Sequence, residues 1–199
     1  KKIKNLPGVV FLSGLKSDKE GTKAIFLSRW AEKNKIDFLR FDYRGHGASS
    51  GIFEETSISD WLEDTKSIIL SLTSGPQILV GSSLGGWIAL LFAKLYPQKV
   101  AGIIGVAAAP DFTAKYTSNN LTQDQRQELK TTGKLSFDSE YFEEPLVITQ
   151  KLIELYRTMF TKTIISTMDI LEHLIFTKHH LMNFQILMEM EFLILFKLA

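Results

Sequence analysis

Gln77-Ile78-Leu79-Val80-Gly81-Ser82-Ser83-Leu84-Gly85-Gly86-Trp87 is the stretch that decides how this chain is built. The strand-like run ending at Val80 passes straight into Gly-x-Ser-x-Gly, and a helical pattern starts directly behind it. Strand, turn, helix is the context in which this short motif carries chemistry. A serine that attacks a carbonyl must sit on a tight turn with its Oγ raised at the edge of the sheet. Such a backbone is strained, and the residues two before and two after the serine must be tiny, because no Cβ fits there. This rule separates the adjacent serines. Ser83 has Gly81 and Gly85 at those positions, whereas Ser82 would have Val80 and Leu84. Ser83 is the expected nucleophile.

The same geometry points to the groups that would stabilise a developing oxyanion. The Leu84 N–H opens the following helix, where it can donate to negative charge. A second donor is expected from the loop Ser13-Gly14-Leu15-Lys16 behind the first strand, with Leu15 the candidate by position. The plain alternative is a glycine-rich turn that merely links strand to helix.

Outward from this turn, short β-rich runs alternate with helical patterns. The runs are Gly8 to Leu12, Asp37 to Phe41, Gln77 to Val80, and Val100 to about Ala107. They are largely continuous in apolar residues, which suits strands covered on both faces of a parallel sheet. Ile58, Trp61, Leu62, Thr65, Ile68, Ile69 and Leu72 share one helical face, with Ser57 and Asp60 placed to cap its start. Thr22 to Lys33 is helical by composition, and Trp87 to Tyr96 is a helix stopped by Pro97. The expected fold is α/β, a doubly wound, mostly parallel sheet in one domain over residues 1–199. Residues 1–110 supply the core βα units.

After Pro110 the rhythm changes. Residues 111–156 read as a small cap inserted over the sheet, with a short helix capped by Thr122 and Gln125 and broken at Gly133. Leu146 to Tyr156 reads as helical. Residues 157–199 form an atypical tail that holds all five Met and three of the four His. From Ile148 onward average usage predicts roughly six Gly plus Pro. The sequence has none there.

Composition removes several classes of function. A formal net charge of +1 leaves no electrostatic footprint for nucleic acid or an anionic membrane. With no cysteine there is no disulfide, thiolate metal site or Cys nucleophile. No apolar run approaches the ~20 residues of a membrane span. No metal or cofactor is expected, and the expected location is the cytoplasm. The chain opens on Lys1 rather than Met, which leaves room for a targeting segment ahead of it.

His46, in Phe41-Asp42-Tyr43-Arg44-Gly45-His46-Gly47-Ala48-Ser49, invites a catalytic reading. Where a nucleophile sits on this kind of elbow, however, the triad follows the chain order Ser, acid, His, and His46 precedes Ser83. The favoured reading is a loop stabilised by Asp42 and Arg44 contacts, with glycines for its turns.

From about Lys4 to Tyr156 the sequence resembles the α/β-hydrolase family. The resemblance is to the branch of the mitochondrial palmitoyl-protein thioesterases, also described as acyl-glucuronide esterases, and their bacterial relatives. The matching stretches are Gly21-Thr22-Lys23-Ala24, Arg40-Phe41-Asp42-Tyr43, Gly75-Pro76 through the elbow to Trp87, and Ile104-Gly105-Val106-Ala107. The resemblance implies that Ser83 is the nucleophile and that Ser118 to Tyr156 forms a cap over the site. It further implies hydrolysis of acyl thioesters and esters without metal or cofactor, so the expected partner is a small acyl ester or thioester.

The likeness fades after roughly Glu154, and the fold is expected to be incomplete at the C-terminus. Family members carry two further strands after the cap, whose loops supply the triad acid and the catalytic His. Neither loop is present here. Asp169, Glu172, His173, His179 and His180 are the remaining candidates for acid and base, and their expected role is as solvated positions. The triad acid and His are therefore unassigned. Three functions fit: an active serine esterase or thioesterase, a truncated or frame-disrupted hydrolase with little turnover, and a non-catalytic module that binds an acyl ligand.

Overall fold

Val9, Val10, Phe11 and Leu12 form strand β1 (Val9–Leu12), and all four are buried. A strand can bury every residue only where both faces of its sheet are covered. A computed structural model of the chain describes residues 6–109, 120–138 and 145–153, and it shows what covers them. Val9 and Phe11 pack with Ala24 and Leu27 of α1 (Thr22–Asn34). Val10 and Leu12 face the other way, into a larger cluster with α2 (Ile58–Leu72) and α3 (Leu84–Leu95). Ile58, Trp61 and Ile69 enter that cluster from α2, and Leu84, Trp87 and Ile88 from α3.

The main sheet has the order β2-β1-β3-β4, with β2 at Phe38–Arg40, β3 at Gln77–Ser82 and β4 at Val100–Val106. Every pairing is parallel. The chain leaves β1 for β2 on one side, then returns past β1 to lay β3 on the other. The strand order therefore reverses between β1 and β3, where an open α/β sheet forms a crevice beyond the carboxyl ends of its strands. Leu12, the last residue of β1, pairs with Gly81 in β3. The doubly wound α/β expectation holds, with helix and strand ends displaced by a few residues at most.

Two local expectations need correction. Ser57 does occupy the N-cap of α2, yet its side chain caps no backbone N–H. Its hydroxyl donates instead to Asp60 Oδ2 at 2.7 Å, and the same carboxylate is drawn to Lys151 Nζ at 3.1 Å. The side chain of Asp60, itself paired with distant Lys151, has won over the backbone cap.

Leu146 to Thr149 is likewise not helical. These residues form β6 (Leu146–Thr149), antiparallel to β5 (Lys134–Phe137) in a second, two-stranded sheet. Val147, Ile148 and Thr149 are β-branched and suit a pleated surface, and Leu146 and Ile148 are buried in the larger core cluster. Helix resumes at Gln150, where the Leu152 N–H donates to Thr149 Oγ1 at 3.2 Å. The helix α4 (Gln123–Thr132) follows expectation: Thr122 and Gln125 form a reciprocal capping box, and Gly133 ends it at φ 71°. Among the described residues no helix is long and apolar enough to cross a membrane.

Candidate active site

Ser83 stands alone between β3 and α3 with φ 50° and ψ −115°. A non-glycine residue in such a region typically carries ~1–3 kcal/mol of strain, which the surroundings must hold in place. They do so through the backbone. The Ser83 N–H donates to the Val106 carbonyl at 3.0 Å. The Ser83 carbonyl accepts from Gly86 N–H at 3.0 Å and Ala109 N–H at 3.1 Å. Its neighbour Ser82 is the buried last residue of β3, whereas Ser83 is only partly buried.

The flanking glycines are required by contact. A Cβ on Gly81 would land on the Gly85 carbonyl oxygen and 2.5 Å from Gly86 Cα. A Cβ on Gly85 would land on the Leu12 carbonyl oxygen and 2.7 Å from that of Ser13. One requirement was not read from the sequence: a Cβ on Gly86 would collide with the Cβ of Ala108. The segment after β4 wraps the turn, with Ala107 at φ 46° and Ala109 bonded to Ser83. The run Ala107-Ala108-Ala109 was the available signal.

Both proposed oxyanion donors belong to segments at this point. Leu84 begins α3, so its N–H has no intrahelical acceptor and lies at the positive end of the helix dipole. The Ser13–Lys16 loop leaves the end of β1, and a Cβ on Gly14 would lie 3.5 Å from Ser83 Cβ. Gly14 closes a turn by accepting from Ser17 N–H at 3.1 Å. Leu15 is partly buried against the larger core cluster, and Lys16 adopts φ 52°. Tyr43, fully buried, directs its hydroxyl at the Ser13 carbonyl over 3.4 Å.

The loop containing His46 is built as a scaffold. Burial alone would raise the Asp42 carboxyl, but the N–H groups of Ala48 (3.0 Å) and Lys19 (2.6 Å) and the Lys19 ammonium (3.1 Å) hold its pKa below the ordinary value. Arg44 forks onto Asp64, with Nε at 2.9 Å and Nη2 at 2.5 Å from the same oxygen. His46 is 3% exposed and lies against the rings of Tyr43, Phe53 and Trp61 at 5.4, 5.3 and 5.0 Å. Its Nδ1 lies 3.3 Å from the Arg44 carbonyl, and its Nε2 has no partner among the described residues. Burial lowers its pKa, against the opposing effects of that carbonyl, Asp42 and Asp64. His46 is thus a buried, neutral packing residue.

Ser83, Leu84 and the Leu15 loop therefore meet at the carboxyl ends of β1 and β3, at the reversal of strand order. Asp169, Glu172, His173, His179 and His180 lie outside the described residues.

A parallel sheet wound on both faces, with a strained serine turn at its switch point, is the architecture of the α/β hydrolases, and solved structures agree. A crystallised protein of Agrobacterium vitis S4 superposes with TM-score 0.72 at 37% identity, covering 76% of this chain and 60% of that one. Mouse α/β hydrolase domain-containing protein 10 superposes with TM-score 0.67 at 32% identity, covering 77% and 62%.

Within that class the chain belongs to the serine aminopeptidase, S33, family, whose model matches residues 7–159. It is similar to the Homo sapiens protein named mitochondrial palmitoyl-protein thioesterase ABHD10, 43% identical over 145 residues, or 72% of this chain and 47% of that protein. The Bos taurus protein of the same name is 41% identical over 138 residues, or 69% and 45%. The chain spans about half the length of the curated relatives it matches.

Proposed function

We propose that this chain is a serine hydrolase that cleaves carboxylic esters or acyl thioesters through an acyl-Ser83 intermediate. One observation carries the reading. Ser83 is forced to φ 50° by a turn with no room for a side chain at Gly81, Gly85 or Gly86, at the switch point between β1 and β3. Such strain persists where a nucleophile must be presented.

In the proposed reaction Ser83 Oγ attacks the acyl carbonyl carbon and gives its proton to a general base. The carbonyl oxygen becomes an oxyanion that accepts from the Leu84 and Leu15 N–H groups. The tetrahedral intermediate collapses, the alcohol or thiol departs with a proton, and water then releases the acid from Ser83. The base is not His46, which is the one described histidine and is enclosed by aromatic rings. Base and triad acid are not assigned to any described residue.

Helix α4 and the β5–β6 sheet form the cap in this account. Leu146, Ile148 and Leu152 share the larger core cluster, which Leu15, Leu129 and Phe137 border. Lys151 bridges back to the Glu55 carbonyl at 2.8 Å and Asp60 at 3.1 Å. The name palmitoyl-protein thioesterase, borne by relatives, favours an acyl thioester over a peptide as substrate.

The test is release of free thiol from an acyl thioester by the purified chain, with the Ser83→Ala variant as the blank. Release that disappears in the variant supports the reading. Acyl-ligand binding with no Ser83-dependent release would point to a non-catalytic module instead.

A further inference from the structure

Lys16 is an unusual residue to find at φ 52°. Side chains with a Cβ avoid that region, and lysine has no short polar group with which to bond its own backbone there. Something outside the loop must hold it. Within the loop the structure offers one backbone bond, from Ser17 N–H to the Gly14 carbonyl. Tyr43 reaches the Ser13 carbonyl and Leu15 packs on the core, and at Lys16 itself the outside contact is aromatic. The Lys16 ammonium lies 5.3 Å from the centroid of the Phe53 ring, inside the range of a cation–π attraction.

Phe53 is a firm platform. Its ring stacks on Trp61 at 5.8 Å and 22°, and His46 meets it edge-on at 5.3 Å and 69°. Trp61 is itself fixed, because its Nε1–H is directed at both the Arg44 carbonyl (3.2 Å) and Thr56 Oγ1 (3.1 Å). Lys16 makes no ion pair with a described residue, so its charge is left to the ring. Leu15 lies directly before it, and Gly14 abuts Ser83.

We propose that Lys16 and Phe53 are positioning residues: their cation–π contact holds the Ser13–Ser17 loop so that the Leu15 N–H faces the oxyanion formed at Ser83. This rests on the reading of Ser83 as the nucleophile. Neither residue touches the reacting atoms. They act through the backbone between them and Leu15.

The experiment pairs hydrogen exchange of the Ser13–Ser17 amides with the rate at which a fluorophosphonate labels Ser83, in the full chain and four variants. Lys16→Met keeps the stem and removes the charge, and Lys16→Arg keeps the cation. Phe53→Leu removes the ring, and Phe53→Tyr keeps it. Lys16 is half-buried and lies outside both core clusters, so its variants give an answer even if Phe53→Leu fails to fold. The Met and Leu variants are expected to speed exchange in Ser13–Ser17, leave β3 protected, and slow labelling about two- to fivefold, the size of an exposed cation–π contact. The Arg and Tyr variants should restore both. Unchanged exchange in the Met and Leu variants overturns the proposal. So does equal damage from Arg and Met, because volume rather than charge would then matter. Should exchange follow the expected pattern while the parent is never labelled, the Ser83 reading fails, and the positioning role falls with it.

Discussion

The carbonyl oxygen of Leu12, at the end of β1, occupies the place that a Cβ on Gly85 would take at the start of α3. The first helical turn behind Ser83 is therefore pressed directly onto the neighbouring strand. Gly85→Ala should cost at least about 1–3 kcal/mol, as overpacking in a rigid site does. Gly102, with open space around its Cβ position and no positive φ, is the matched control. Gly102→Ala should stay within about 0.5 kcal/mol of the parent. Gly75 is a poorer control, because its φ of 72° strains any replacement despite the open space. Urea midpoints of the Gly85 and Gly102 variants check this, and equal stability would remove the close approach from the account.

Strain at Ser83 makes a prediction of opposite sign. Glycine tolerates φ 50° and ψ −115°, whereas alanine does not. Ser83→Gly should be more stable than Ser83→Ala by about 1 kcal/mol, the relieved strain less the added freedom of the unfolded chain. Both variants should lack hydrolysis. A glycine variant no more stable than the alanine one would mean that the turn is not strained.

The buried imidazole of His46 sets a pH dependence. Burial lowers its folded pKa below the ordinary 6.5. Well above that value His46 is neutral in both states and contributes no slope. As pH falls below 6.5, the unfolded chain takes the proton first, so stability declines until the folded pKa is passed. Asp42 and Asp60, whose pKa values lie below the ordinary 3.8, lose their contribution only at lower pH. His46→Phe, which suits the surrounding rings, should flatten the stability profile between about pH 7.5 and about pH 5.5. Urea midpoints at those two pH values test it. An undiminished slope in the variant would place the titration elsewhere.

Much of this was legible in the sequence, for reasons that differ by element. β1 and β3 declared themselves because continuous apolar runs have one explanation in an α/β chain, and the tight turn at Gly81 and Gly85 was legible because both flank one serine, Ser83, in the motif. The helical expectation for Leu146 to Tyr156 gave too little weight to three consecutive β-branched residues, Val147, Ile148 and Thr149, and their ladder partner, β5, lies in a separate stretch of the chain. Thr149, which receives the Leu152 N–H, was the overlooked sign that a helix starts only there. The Lys16–Phe53 contact joins residues far apart in the chain and could be found only in three dimensions. The small residues at 107–109 are intelligible only once β4 is laid beside β3.

Whether Ser83 is the presented nucleophile is decided by locating a covalent adduct. The chain, Ser83→Ala and Ser82→Ala are each incubated with a fluorophosphonate, digested, and analysed by mass spectrometry for the modified serine. One adduct is expected, on Ser83, absent from Ser83→Ala and retained in Ser82→Ala. An adduct on Ser82, or labelling that survives Ser83→Ala, would contradict it.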